Sequence, residues 1–144
     1  MATAAFVKYN SFIDEISKGG HNLQTPPTLK LALTNTAPNA ASDTVWNTTV
    51  APAPAAAAGY TAGGNTLTGV TGTTTAGVFK LVVADSVFTA SGGSIGPFRY
   101  AILYNTTASS KLLGYYDYAS SITLADTETF TFDADPTNGI LTIT

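Results

Sequence analysis

From residue 77 to the last residue, the chain is a succession of short β-patterned segments divided by turn residues. This feature restricts the fold more than any other. In FRYAILYN (98–105), Phe98, Tyr100, Ile102 and Tyr104 occupy alternate positions, the period of a strand. KLLGYYDY (111–118) is expected to pair antiparallel with it across the loop NTTASS. VFKLVVADSVFTA (78–90) is apolar on both faces around Leu81–Val83, with a bend expected near Asp85-Ser86. SGGSIGP (91–97) reads as a turn-rich connection and Ser120–Leu124 as a short strand. TFTFD (129–133) places Phe130 and Phe132 on one face, DPTNGI is a turn containing Asn-Gly, and Ile140–Thr144 forms a last strand. Upstream, Pro26-Pro27 sets an extended path, and Leu29, Leu31 and Leu33 then alternate with Lys30, Ala32 and Thr34. Thr44–Val50 is a weaker strand around Trp46. About eight short strands with no interleaved helices exclude a parallel α/β sheet. They predict an all-β fold, an antiparallel two-sheet sandwich of jelly-roll-like or Ig-like type.

Two stretches depart from that pattern. Phe6, Tyr9, Ile13 and Ile16 recur at helical spacing, with Phe12 beside them. They predict one short N-terminal helix over about 4–17, with Thr3 as N-cap and Gly19-Gly20 as its stop. Residues 51–76 hold no charged side chain and consist largely of Ala, Pro, Gly and Thr. They read as an insert projecting from the domain, with a loose strand around Thr66–Val70 as the alternative. Residues 1–144 are otherwise expected to form a single domain.

Only 10% of residues are charged, against roughly 25% in an ordinary soluble domain. The outside must therefore be covered mainly by Thr, Ser, Asn, Ala and Gly. Such a surface costs little to desolvate and suits lasting contact with other protein. The net charge of −3 and the scattered basic residues argue against direct nucleic-acid binding. No apolar run reaches the ~18 residues of a membrane span. The first residues lack the basic-then-apolar order of a secretory leader, with Asp14 and Glu15 interrupting them. The absence of cysteine removes disulfides and thiolate chemistry.

The inventory for chemistry is thin. His21 is the single histidine and reads as a surface or capping residue after the helix stop. Asp126, Glu128, Asp133 and Asp135 cluster in sequence. They lack the calcium-loop pattern and read as solvated turn residues, with a calcium site shared between subunits as the alternative. Tyr100, Tyr104, Tyr115, Tyr116, Tyr118 and Trp46 could form a sugar-binding platform. Cross-strand packing is the reading preferred for them. Asn47-Thr48-Thr49 and Asn105-Thr106-Thr107 match the glycosylation pattern, but in this context read as chance matches. No catalytic, cofactor-binding or metal-binding residue is expected, and neither is an enzyme.

Four stretches taken together carry a resemblance: FVKYNSFIDEISKGGHNL, LKLALTNTAP, FTASGGSIGPFRYAILYNTTASSKLLGYYDY and SSITLADTETFTFD. The set resembles a family of small virion structural proteins of tailed bacteriophages, over most of the chain except residues 44–76. The resemblance implies a capsid decoration or cement protein at the capsid surface, synthesised in the host cytoplasm. It also implies the major capsid protein and copies of itself as partners, in a homo-oligomer with a trimer preferred over a dimer. A tail or head–tail connector component is the alternative the resemblance leaves open. A carbohydrate-binding host-adhesion module is the alternative raised by the tyrosines.

Overall fold

A computed structural model describes residues 4–47 and 58–144. Among these the chain is mostly β, with antiparallel sheets and one short helix. In chain order, β1 (Phe6–Lys8) leads into α1 (Asn10–Ser17) and β2 (Leu29–Thr34). There follow β3 (Asn65–Thr66), β4 (Thr71–Thr75), β5 (Val78–Val82) and β6 (Ser86–Thr89). β7 (Ile95–Asn105), β8 (Lys111–Leu124), β9 (Thr129–Phe132) and β10 (Leu141–Ile143) complete the set.

β7 and β8 are the centre of a five-stranded sheet ordered β1-β8-β7-β2-β3. The expected pairing holds, with Ile102 opposite Tyr115 and Ala101 opposite Tyr116. It also runs further than the alternation suggested. Register shifts after Ile95 and Phe98 let Ser120–Leu124 continue β8 rather than start a new strand. Because successive side chains point to opposite faces, Tyr115 and Tyr116 reach different layers. Tyr115 meets Tyr9 at 5.4 Å, on the side where Trp46 stacks on Tyr104. Tyr116 meets Phe6 at 5.2 Å and Phe132 at 5.1 Å. The β6–β9 pair thus lays Phe130 and Phe132 on that second face, where Phe98 and Tyr118 each approach Phe130 to 5.1 Å. With both faces covered, β7 is buried at every position from Tyr100 to Asn105.

Three sequence expectations are corrected. The helix does not span 4–17: Phe6–Lys8 is a strand on β8, and α1 starts only after Tyr9, which stands at its N-cap. The reason is tertiary. Gly114 opposite Lys8 leaves space that the Phe6 ring fills, and this outweighs local helical spacing. The buried helix residue is accordingly Phe12 at 0% exposure, whereas Ile13 is 51% exposed. Thr3, the expected cap, lies outside the described residues. The insert 51–76 is not a wholly projecting segment either. Residues 51–57 lie outside the described residues, but from Ala58 onward the segment is built into the fold. Tyr60 and Leu67 are buried, β3 pairs with β2, and β4 pairs with β5. The β4–β5 turn holds Ala76 and Gly77 both at positive φ, the geometry of a two-residue hairpin. Finally, Thr44–Val50 contributes only a single bridge, Val45 to Lys111, and its last three residues lie outside the described set.

Candidate functional site

The turn after α1 carries His21 inward. Lys18 and Gly19 close the helix by bonding back to Asp14 and Ile16, and Gly19 takes a φ of +75°. Gly20 then passes so close to the Glu15–Lys111 ion pair that a Cβ there would lie 3.1 Å from Lys111 Nζ. The next residue is therefore pressed under the helix. His21 is 6% exposed, with its ring 5.4 Å from that of Phe12. The expectation of a surface or capping histidine is corrected accordingly.

At the end of β7, Asn105 is 1% exposed and its side chain is spoken for at both ends. Oδ1 accepts from Ala108 N–H at 3.2 Å, capping the 3-10 turn Thr106–Ala108 in the β7–β8 loop. Nδ2 lies 3.3 Å from His21 Nδ1. The cap fixes which end of the amide faces the ring, so Nδ2 donates and Nδ1 accepts. The neutral ring then carries its proton on Nε2. Burial, followed by the nearby Lys111 ammonium, holds the imidazole below its ordinary pKa, with Glu15 opposing. His21 Nε2 is the one buried side-chain nitrogen or oxygen without a hydrogen-bond partner among the described residues.

That ring lines a groove of about 430 Å³. Its walls are Ile16, Leu23, Phe79 and Ile143, with Asn22 and Gln24 supplying polar groups. The groove can hold an apolar body and give one hydrogen bond to it. It is poorly equipped for proton transfer, because His21 is oriented by a carboxamide and Glu15 is engaged by Lys111. A second cavity, bordered by Tyr9, Asp43, Trp46 and Ile102, has about 20 Å³, room for roughly one water.

The other residues singled out from the sequence serve the fold. Asp126 accepts from Gly92 N–H, Glu128 from Ala125 N–H, and Asp135 from Thr137 and Asn138 N–H. These bonds hold Asp135 below the usual carboxylate range. Among the described residues no three His, Cys, Asp or Glu side chains converge as metal ligands. Tyr100, Tyr104, Tyr116 and Trp46 are buried, and Tyr115 and Tyr118 pack against the core. Tyr104 donates to Gly63 O at 2.7 Å, and burial pushes its phenol up to about 12. Asn105 is buried with its amide engaged, which removes it as a glycan acceptor. Thr48 and Thr49 of the other match lie outside the described residues.

Sequence reasoning missed the pairing of His21 with Asn105, 84 positions apart, for which no local pattern gives a signal. No described helix is long and apolar enough to cross a membrane. No protein-family model matches the chain, and neither a curated protein nor a solved structure matches it.

Proposed function

We propose that the chain is a non-enzymatic virion structural protein of a tailed bacteriophage, a capsid decoration protein that stabilises the head by bridging capsid subunits. The observation that carries this reading is how its few charges are used. Six charged side chains form three internal ion pairs: Lys18–Asp14, Arg99–Asp117 and Lys111–Glu15. Asp43, Asp85, Asp126, Glu128 and Asp135 accept backbone N–H bonds in turns and connections. The outside is left to threonine, serine, alanine and glycine, with Val7, Ile13, Val45, Val78 and Val87 exposed among them. A surface of that kind is cheap to dehydrate against another protein and lacks the charge that keeps solutes apart.

The four stretches that carry the family resemblance form β1, α1, β2, β7, β8 and β9, including the centre of the five-stranded sheet. We read the arrangement as a two-sheet sandwich of jelly-roll type. The working form is a homo-oligomer, a trimer in preference to a dimer, seated on the major capsid protein at the outer face of the virion. Each contact would bury on the order of 1,600 Å², and the summed adhesion would resist the outward pressure of packaged DNA. Particles carrying the protein should withstand more heat or a sharper osmotic drop before releasing DNA than particles lacking it. Equal resistance would overturn the proposal.

A further inference from the structure

We propose that the groove lined by His21, Leu23, Phe79 and Ile143 is a docking site for an extended, uncharged peptide segment of a partner protein, which places a backbone carbonyl on His21 Nε2–H and runs beside the edge of β10. This rests on the adhesive reading above and supplies it with a contact.

Three observations converge. First, the donor is unsatisfied and its direction is fixed. Asn105 occupies Nδ1, so the remaining proton sits on Nε2, where the chain provides no acceptor among the described residues. A buried donor left unmade costs about 1–3 kcal/mol, which an incoming acceptor recovers. Second, the walls select a neutral acceptor with apolar flanks. Ile16, Leu23, Phe79 and Ile143 present hydrocarbon, and the nearby ammonium of Lys111 is bound by Glu15. A carboxylate brought here would lose its water without gaining an unshared cation. Third, the groove borders an open sheet edge. β10 pairs with β5 alone, Ile143 is partly buried in the groove wall, and Thr142 and Thr144 are exposed. Among the described residues no backbone hydrogen bond reaches β10 from its other side. An edge strand of this kind offers main-chain groups to an added strand, and adjacent pockets then select side chains. The volume of about 430 Å³ lies within the range of ligand clefts.

Because His21 is the single histidine, its ring resonances need no assignment by elimination. A long-range proton–nitrogen spectrum of the intact protein near neutral pH should show the Nε2–H tautomer. Addition of an N-acetylated, C-amidated Val-Ala-Thr-Ala-Val peptide at about 1 mM should shift the Nε2 proton together with the amides of Leu23 and Ile143. His21→Phe should weaken that binding at least about tenfold, whereas His21→Gln, which keeps a donor, should stay within about threefold. Should His21→Phe fail to fold, Ile143→Asp on the edge strand should abolish binding with the histidine intact. The proposal is overturned by an Nδ1–H tautomer, by absence of any peptide-induced shift, by shifts confined to other faces, or by acetate reproducing the effect. Co-sedimentation with capsid shells separates this idea from the broader one. Shell binding unchanged in His21→Phe and Ile143→Asp overturns the docking site alone. Failure of the wild type to bind shells, with the peptide still seated, overturns the decoration reading alone.

Discussion

The hydroxyl of Tyr60 serves both backbone polar groups of Leu33, accepting from its amide at 3.0 Å and donating to its carbonyl at 3.4 Å. Leu33 lies in β2 opposite Ala101, so this contact ties the segment that follows residue 57 to the centre of the main sheet. Tyr60→Phe keeps the ring and its stacking on Phe88 but leaves a buried N–H unpaired. A loss of about 1–3 kcal/mol is expected, read as a lower urea midpoint at unchanged m-value.

The helix offers a paired comparison. Phe12→Ala empties a fully buried site and should cost about 3–5 kcal/mol. Ile13→Ala removes a half-exposed side chain and should stay within about 0.5 kcal/mol. Chemical denaturation of the two variants checks which face of α1 carries the packing; equal effects would contradict the structure.

Acid should weaken the fold through His21. Its folded pKa lies below the ordinary 6.5, so the neutral ring is favoured in the folded chain. The unfolded chain then takes up a proton first as pH falls, and the stability from this group is present above about 6.5 and lost as pH drops toward the folded value. Denaturant midpoints should therefore decline between pH 7.5 and pH 5.5 in the wild type. In His21→Gln the decline over that interval should disappear.

Gly114 holds β1 in place by being small. A Cβ there would collide with the Phe6 ring and approach Val7 O to 2.6 Å. Gly114→Ala should cost about 1–3 kcal/mol by overpacking. Faster amide exchange at Phe6–Lys8 than at β2 would place the damage at the β1 edge.

Where hydrophobic alternation and turn residues coincide, the sequence was sufficient. The β7–β8 hairpin, the break at Asp85 between β5 and β6, and β9 with its paired phenylalanines could all be read from period and punctuation alone. Phe6–Lys8 could not, because spacing shared with Tyr9, Ile13 and Ile16 mimics a helix and the deciding vacancy lies on Gly114, far along the chain. The strands β3 and β4 were obscured by glycine and threonine, which carry little hydrophobic contrast. The candidate site was the least legible part. A lone histidine between a helix stop and a strand carries no signal of burial, and its partner Asn105 is ordinary loop chemistry until the fold brings the two together.

The strands that flank β7 and β8 come from the beginning of the chain: Phe6 sits opposite Tyr116, and Leu29 opposite Asn105. A ribosome therefore releases the apolar run Leu29–Thr34 long before its neighbours exist, leaving it bare for several seconds at roughly 5–20 residues per second. During that interval the nascent polypeptide is a substrate for chaperones and for unwanted self-association, and the hazard ends only when the penultimate stretch of the message has been translated.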